Sequence, residues 1–275
     1  MEPIWKGRTF MPNDSNEKVA NQSVSKLLHL LRCLSDSRIP MPLQEIAALT
    51  GMPQATILRY LNALIADGYA FQDSISNRYA LTWKICEIGE QTRNHMNLRM
   101  IAGDLLNTVV SHLDFGVCLV IERDLECFYL DCIYDPKELG MSLVRIGKQT
   151  PMHASASGKI LLSAFSDYRL NQLIEQKGLA RLTDRTITSK EALLVELERV
   201  RQQGYAVDDE ECETGLRCVG VPLYSYQDTP VAAISIFGSA ERVTDHRIEQ
   251  TILPLLFDIG DEISFRLGSS HPAHR

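Results

Sequence analysis

The segment 153–159, with the sequence HASASGK, contains the residues of this chain best suited to holding an anion. It precedes and enters a predicted helix over 154–165, and the first amides of a helix have no hydrogen-bond partner within that helix. These amides and the positive end of the helix dipole favour carboxylates and phosphates. We therefore expect a small anion, specifically a carboxylate, at this helix start.

Spacing excludes two well-known motifs for this segment. A phosphate-binding P-loop would require Gly at 153 and Ser or Thr at 160, and the chain has His153 and Ile160. A Ser-x-x-Lys acyl-transfer motif would require Ser three residues before Lys159, and the chain has Ala156 there. The sequence supports neither a nucleotide site nor a serine acyl-enzyme.

The seven cysteines contain no Cys-x-x-Cys pair, so the sequence indicates neither a disulfide framework nor a zinc knuckle. Two alternatives stay open. Cys212 and Cys218, with His153, could form a redox or metal sensor, and Cys218, His153 and Asp208 could act as nucleophile, base and orienting acid of an enzyme. Because spacing supports neither, we predict no catalytic residue, no metal site and no cofactor.

The elements that must position such chemistry begin with three predicted helices. The first spans 23–35, the second 43–50, and the third starts after the Gly51-Met52-Pro53 turn with its apolar stripe on Ile57, Leu61, Leu64 and Ile65. Aromatic-rich strands at 69–72 and 79–82 flank a polar turn. This order within about 60 residues is the outline of a winged helix-turn-helix, whose third helix enters the major groove of DNA.

Several polar residues on that third helix and at the wing tip could contact DNA. Arg59 is placed for a bidentate contact to guanine, and Thr56 lies in the first turn, where helix amides can meet a phosphate. The predicted DNA-binding residues are Gln54, Ala55, Thr56, Arg59, Tyr60, Asn62, Asn77 and Arg78. The charge distribution agrees weakly with DNA binding by the first part of the chain. Residues 1–100 carry 11 Lys+Arg and 9 Asp+Glu, whereas residues 101–275 carry 17 Lys+Arg and 26 Asp+Glu.

The second part of the chain mixes strands and helices. A polar helix over 83–99 leads into another at 100–113, and no Gly or Pro cluster interrupts them, so we expect the two domains to be joined by helix. Predicted strands lie at 117–122, 127–134, 141–146, 218–224 and 231–237, and predicted helices at 154–165, 168–176, 190–203 and 245–267. Hairpins with segregated helices indicate an α+β domain with an antiparallel sheet.

The predicted domain organisation has five parts. They are a mobile arm at 1–22, the winged helix-turn-helix at 23–82, a linker helix at 83–99, an effector-binding domain at 100–268 and a tail at 269–275. The chain has no apolar run near the roughly 18 residues of a membrane helix, and its opening lacks the apolar region of an export signal. We expect a cytoplasmic protein with no membrane partner.

Five segments in this order make the chain resemble the isocitrate-lyase-regulator (IclR) family of bacterial transcription factors, from about Val24 to Leu267. They are LQEIAALTGMPQATILRYLNALIADGYAF, RYAL, TPMHASASGKILLSAF, GYAVDDEECETGLRCVGVPLY and PVAAISIFGSAERVT. The resemblance implies a winged helix, a linking helix used in dimerisation, a GAF-like effector domain, and homodimers or dimers of dimers. The third helix opens with Pro53-Gln54-Ala55-Thr56 instead of the usual small, basic and Ser-Thr residues, so only Thr56 and Arg59 carry over.

The resemblance also implies where a small organic acid would bind. Its pocket would lie between the helix start at 156 and the strand with the Gly-Leu-Arg-Cys motif, and would use Thr150, Ala156, Ser157, Asp208, Leu216, Cys218, Ser235 and Phe237. Charge pattern alone makes Asp208 a solvated member of the acidic run 208–211, whereas in the pocket it would accept a hydrogen bond from an effector hydroxyl.

Phe237 stands where the family commonly has a small polar residue. If it points inward, the pocket is either shortened or adapted to an apolar or aromatic effector. Taken together, the sequence predicts a regulator that binds palindromic double-stranded DNA as a homodimer or dimer of dimers under the control of a small organic acid. We expect a repressor in preference to an activator; a redox-sensing or metal-sensing regulator is the alternative.

Overall fold

The computed structural model describes residues 22–95, 97–134 and 147–270, so the predicted strand at 141–146 lies outside the described residues. The chain divides into two compact units, Met1–His95 and Met96–Arg275. Within the described ranges, no helix is long and apolar enough to cross a membrane.

The first unit has the predicted helix-turn-helix order followed by a hairpin. Its elements are α1 (Gln22–Asp36), α2 (Leu43–Thr50), α3 (Gln54–Ala66), β1 (Ala70–Gln72), β2 (Tyr79–Leu81) and α4 (Ile85–His95). The turn between α2 and α3 depends on Gly51, whose φ of 67° is left-handed and whose amide donates to the carbonyl of Ala47. The three helices enclose a core in which Leu30, Ile46 and Ile57 are fully buried.

The hairpin is fixed to the helices by a third backbone pairing. Met41, in the turn before α2, and Tyr79 of β2 exchange two backbone hydrogen bonds of 2.9 and 2.8 Å. At the hairpin tip, Asp73 Oδ1 accepts from the amide of Ser76 at 2.6 Å, and Asn77 adopts a left-handed φ of 54°. The wing is therefore held to the same core as α3.

The second unit is an antiparallel sheet with helices on both faces. Its elements are α5 (Leu98–Leu113), β3 (Gly116–Arg123), β4 (Glu126–Ile133), β5 (Gln149–Thr150), α6 (Ala156–Ser163), α7 (Asp167–Lys177), α8 (Lys190–Gln203), β6 (Ala206–Asp209), β7 (Leu216–Tyr224), β8 (Pro230–Ser239), α9 (Asp245–Arg247) and α10 (Leu253–Arg266). The strand order is β5-β4-β3-β8-β7-β6, with antiparallel neighbours throughout. This confirms the predicted α+β class.

The two faces of this sheet carry different helices. One face packs against α6, α7 and α8 and contributes alternate residues such as Cys118, Cys218 and Phe237 to their shared core. The other face packs against α10, which also contacts α5. Residues directly opposite one another across antiparallel strands share a face, so the register identifies the row of side chains beneath α6.

Two predicted helical segments are divided in the structure. The helix expected to continue from 83 into 113 stops at His95, and α5 begins at Leu98 because Asn97 is extended and its side chain accepts from the amide of Met100. The helix predicted over 245–267 consists of α9, a π-helical turn at Ile248–Ile252 and α10. The change to α10 comes just before Pro254, which has no amide to continue the regular pattern.

The strand β6 (Ala206–Asp209) was absent from the sequence-based prediction. Its four residues AVDD carry two carboxylates, a composition typical of loops, yet Asp208 pairs with Cys218 and Ala206 with Gly220 on β7. Burial alternates along the strand, with Ala206 and Asp208 buried. A buried acid in a short edge strand is the kind of pattern that local propensity does not predict.

Candidate functional sites

The exposed side of α3 carries most of the residues predicted to contact DNA. Gln54, Ala55, Arg59 and Asn62 are exposed and Thr56 is half-buried, whereas Ile57, Leu61 and Leu64 face the core. The helix starts at Gln54 after Pro53, with no side-chain cap. The amides of Thr56 and Ile57 donate to the Pro53 carbonyl, so those of Gln54 and Ala55 are the ones that could meet a phosphate. Arg59 lies one turn into the helix, with its guanidinium carbon 5.2 Å from the ring centre of Tyr60.

Two members of the predicted DNA-binding set have structural roles. Tyr60 is only 9% exposed and packs in the core of the first unit, so its ring is not on the exposed face. Arg78 is half-buried and donates to the carbonyl of Pro40 at 3.2 Å, which ties the wing to the turn before α2. Asn77 is exposed at the wing tip, and its side chain accepts from Gln72 at 3.4 Å.

In the second unit, the start of α6 lies directly over strands β7 and β8. A Cβ atom added at Gly220 would lie 3.5 Å from the carbonyl carbon of Ala156, which is van der Waals contact, so the backbone of α6 passes close to β7 at this point. Ser157 Oγ donates to Ser235 Oγ at 2.8 Å, and both residues are buried. The Ser155 side chain caps the helix by accepting from the Gly158 amide at 3.1 Å.

The sheet places four further predicted residues near this helix start. Cys218 of β7 is the register partner of Asp208 on one side and of Phe237 on the other, so the three form one row on the face below α6. Leu216, two residues before Cys218, is 1% exposed and belongs to the same core. The hydroxyl pair of Ser157 and Ser235 occupies the next row, beside Gly220.

Thr150 lies at the other edge of the sheet. It is half-buried, pairs with Cys127 of β4, and its Oγ1 donates to the hydroxyl of Tyr129 at 3.4 Å. Cys127 Sγ lies 3.3 Å from Ser155 Oγ, which connects this edge to the cap of α6. Thr150 therefore borders the same helix start from the opposite side.

Phe237 points inward, which answers the question that the sequence left open. It is 2% exposed, and a Cβ atom added at its register partner Gly116 would lie 2.1 Å from the ring. The ring of Tyr134 meets it edge-on with the centres 5.7 Å apart. The ring therefore fills the row beside Cys218, where it gives the site an aromatic wall.

Asp208 is buried and not solvated, against the expectation from charge pattern alone. It is 1% exposed, and its Oδ1 accepts from the amides of Glu211 at 2.8 Å and Cys212 at 3.2 Å. Burial raises the pKa of Asp208 to about 7, although these hydrogen bonds and the charge of Lys159 favour the ionised form. The carboxyl both orders the following turn and can gain a proton near neutral pH.

Lys159, the last residue of the HASASGK segment, does not face the helix start. Its side chain is 1% exposed, and Nζ donates to Glu196 at 3.0 Å, Glu211 at 2.6 Å and the carbonyl of Val207 at 2.5 Å. Arg199 extends the cluster by pairing with Glu196 at 2.8 Å. The anion site predicted here can therefore draw on backbone amides and hydroxyls, since this ammonium is already paired.

The two glutamates of this buried cluster respond differently to it. Burial raises the pKa of Glu211 more than Lys159 lowers it, and Glu211 Oε2 has no hydrogen-bond partner among the described residues. Burial also acts to raise the pKa of Glu196, but hydrogen bonds and attraction from Arg199 and Lys159 outweigh it and lower the pKa. Lys159 thus ties α6 to α8 and to the turn that Asp208 caps.

The structure gives little support to the two alternative functions, a redox or metal sensor and an enzyme that uses Cys218, His153 and Asp208. His153 Nε2 lies 3.0 Å from the carbonyl of Ala180, so this ring nitrogen is committed to the backbone instead of to Cys218 or Asp208. Burial lowers the pKa of His153. Among the described residues, no group of three or more His, Cys, Asp or Glu side chains is arranged to hold a metal ion.

Comparison with known proteins identifies the family. Residues 23–74 match the IclR helix-turn-helix domain, and residues 90–265 match the domain described as bacterial transcriptional regulator IclR C-terminal. The chain belongs to the IclR family. It is therefore a DNA-binding transcriptional regulator and not an enzyme.

Individual relatives agree over most of the chain. The transcriptional repressor IclR of Escherichia coli K12 is 30% identical over 231 residues, which cover 83% of this chain and 84% of the repressor. The crystal structure of Thermotoga maritima IclR has a TM-score of 0.60 at 29% identity, covering 90% of this chain and 99% of that one. A double mutant of the inducer-binding domain of the PobR transcription factor from Acinetobacter, in complex with 3-hydroxybenzoic acid, has a TM-score of 0.57 at 28% identity; the match covers 62% of this chain and 98% of that one.

Three residues that support the candidate effector site, Gly220, Glu196 and Glu211, were not identified from the sequence. Gly220 gave a signal, because a glycine within an apolar strand suggests a close approach of another backbone. Glu196 and Glu211 gave none: Glu211 lies in the acidic run 208–211, and Glu196 is on a helix that also carries Glu198 and Arg199, as a solvated helix would. Their burial depends on Lys159, which comes from a helix 37 residues before Glu196.

Proposed function

We propose that this regulator is a repressor whose affinity for DNA is controlled by a small organic acid bound at the start of α6. The observation that carries the proposal is the hydroxyl pair of Ser157 and Ser235, buried beneath helix amides in the row next to Asp208, Cys218 and Phe237. Helix amides and hydroxyls can donate to a carboxylate, while Leu216 and Phe237 supply apolar walls.

The aromatic wall favours one class of acid. Phe237 offers a ring edge and face to a planar ligand, and aromatic pairs of this kind are stabilised beyond the area they bury. A double mutant of an inducer-binding domain that is similar to the second unit binds 3-hydroxybenzoic acid. We therefore propose an aromatic or otherwise apolar hydroxy acid, whose carboxylate meets the start of α6 and whose hydroxyl donates to Asp208.

For DNA recognition, we propose that α3 reads the major groove through Arg59, Thr56 and their exposed neighbours, with the wing at the adjacent backbone. A pair of such units in a homodimer or dimer of dimers would read a palindromic operator. The similarity to a transcriptional repressor supports repression in preference to activation.

A thermal-shift screen of small organic acids tests the effector proposal. Ligands that bind the folded state raise its unfolding midpoint in proportion to the logarithm of their concentration. We expect 3-hydroxybenzoate and related aromatic acids to raise it, and Ser157→Ala with Ser235→Ala to abolish the shift. Ser163→Ala is the matched control, since this serine is on the same helix and its hydroxyl donates to the carbonyl of Ile160. If the Ser157/Ser235 double variant keeps the full shift, the site is wrong.

A band-shift titration on the DNA upstream of the protein's own gene tests the DNA-binding proposal. We expect Arg59→Ala to weaken binding by about 5- to 150-fold, the effect of one bidentate base contact. Arg201→Ala is the charge-matched control, because this exposed arginine of α8 bonds Ser163 and Glu198. Equal losses in the two variants would point to a general charge effect and against a reading role for Arg59.

A further inference from the structure

Cys118 of β3 and Cys132 of β4 face each other in the second unit. They are register partners in the antiparallel pair, and their sulfurs lie 2.9 Å apart. Neither cysteine is in a disulfide, and they are 1% and 6% exposed respectively. The sequence had drawn attention to Cys212 and Cys218, so this pair is a different candidate for thiol chemistry.

The strand register and the sulfur separation are compatible with a cross-strand disulfide. Opposed residues of antiparallel strands have Cα atoms about 4.5–5.5 Å apart, inside the range of about 4.4–6.8 Å that disulfides span. An S–S bond is about 2.05 Å long, so closing it from the observed separation requires less than about 1 Å of sulfur movement. The thiol and disulfide forms can therefore share one fold.

We propose that Cys118 and Cys132 form a reversible disulfide when the protein meets a hydroperoxide. The sulfur of one cysteine attacks the peroxide, the O–O bond breaks, and a sulfenic acid and one water or alcohol are formed. The second sulfur displaces the sulfenic oxygen, which leaves as water, and the S–S bond forms. The two thiols lose two electrons and two protons, and the hydroperoxide is reduced by the same two electrons.

Burial determines the order of these steps. Cys132 is the more exposed of the two, so a water-sized oxidant reaches it first and Cys118 acts as the resolving thiol. A resolving thiol already in contact captures a sulfenic acid before further oxidation, which keeps the modification reversible. Cys127 lies outside this pair: its sulfur contacts Ser155 Oγ at 3.3 Å, and burial raises its pKa to about 12.

Cys118 is also the register partner of Ser235, so the modified pair borders the row of the hydroxyl pair. The proposal itself does not depend on an effector. It assigns a peroxide-sensitive site to the sheet of the second unit, whichever molecule binds beneath α6.

Mass spectrometry of the full-length protein tests the proposal directly. Reduced protein is treated with hydrogen peroxide, alkylated and digested. We expect a peptide that links Cys118 to Cys132, about 2 Da lighter than the two reduced peptides together, and its loss on treatment with dithiothreitol. Cys86, which is exposed, reports that the oxidant was active. Oxidised Cys86 with alkylated Cys118 and Cys132 would overturn the proposal, as would linkage of either cysteine to another partner.

Two variants and an unfolding measurement complete the test. Cys132→Ala should abolish the linked product, and the matched control Cys127→Ala should retain it. In the wild-type protein, oxidation should raise the thermal unfolding midpoint by about 5–10 °C and dithiothreitol should reverse the rise, because the cross-link restricts the conformational freedom of the unfolded chain. The wild-type peptide map needs no variant to fold, so the proposal stays falsifiable if an alanine disturbs the core.

Discussion

On α3, the candidate DNA-binding side chains are mostly exposed and supported from behind by an apolar core. Beneath α6, the candidate effector-binding side chains are themselves buried and hydrogen-bond to one another. A polar residue on the exposed face can be replaced with little effect on folding, whereas a buried polar group left without a partner costs free energy. In the first unit, a substitution on the exposed face of α3 should therefore change DNA binding without changing stability. In the second unit, a substitution at the buried site should change both effector binding and stability.

The largest expected effect is at Lys159, where the second unit depends on a buried charge. Lys159→Met leaves Glu211 and Glu196 without their shared cation, and we expect the free energy of unfolding to fall by about 3–5 kcal/mol. Lys177→Met is the control, since its exposed pair with Glu126 at 3.3 Å should contribute less than about 1 kcal/mol. Urea unfolding followed by circular dichroism measures the free energy of unfolding of both variants. Equal losses would contradict the claim that the buried Lys159 cluster contributes more to stability than the exposed Lys177 pair.

Asp208 should make the stability of the second unit depend on pH. Its pKa rises from 3.8 in the unfolded chain to about 7, so its stabilising contribution is complete below about pH 4 and is lost as pH rises through about 7. The full change corresponds to about 4 kcal/mol at 1.36 kcal/mol per pKa unit.

Asp208→Asn keeps an oxygen for the amides of Glu211 and Cys212 but cannot ionise. Urea unfolding of the wild type and the variant between pH 4 and 8 isolates the contribution of Asp208 from that of Glu211 and other titrating groups. We expect the variant to gain relative stability as pH rises. Parallel pH profiles would mean that burial does not shift this carboxyl.

Two helical glycines of the second unit should change stability in opposite directions when each is replaced by alanine. A Cβ atom at Gly158 would lie 2.1 Å from the carbonyl oxygen of Met152, whereas one at Gly103 would have nothing within 4 Å. We expect Gly158→Ala to destabilise by about 1–3 kcal/mol and Gly103→Ala to stabilise by up to about 1 kcal/mol. Shifts of the thermal unfolding midpoint in the same direction would contradict this packing of α6.

The smallest expected effects on stability concern two arginines of the first unit, the half-buried Arg78 and the exposed Arg59. Arg78→Ala removes the bond to the Pro40 carbonyl and should lower stability by about 0.5–1.5 kcal/mol, whereas Arg59→Ala should change stability by less than about 0.5 kcal/mol. Hydrogen exchange of the α2 and α3 amides measures both. If Arg59→Ala is the more destabilising, the exposed face of α3 also has a structural role.

The sequence predicted elements best where local signals were complete. Ser189 and Gly204 bracket α8 as expected, with the serine accepting from the Ala192 amide and the glycine at a left-handed φ of 76°. Gly51 marked the turn between α2 and α3 in the same way. Such caps are local, so they can be identified without knowing the tertiary fold.

Prediction was poorer where long-range contacts decide the outcome. Tyr60 is on the third helix, but periodicity alone did not separate its buried ring from the exposed Arg59 next to it. Every residue of α6 from Ala156 to Leu162 is buried, so the helix has no polar face that could have indicated the direction of Lys159. The partners of Lys159 lie on α8 and after β6, and only the folded chain brings them together.

The contact between Phe237 and Gly116 has a practical consequence for anyone who wishes to retune this regulator as a biosensor. The glycine has no side chain to occupy space vacated by the ring, so trimming Phe237 to a smaller residue would open a hole bordered by Tyr134 and Cys218. Such variants could be screened for a response to bulkier inducers. The Lys159 cluster, which ties α6 to α8, would be left unchanged.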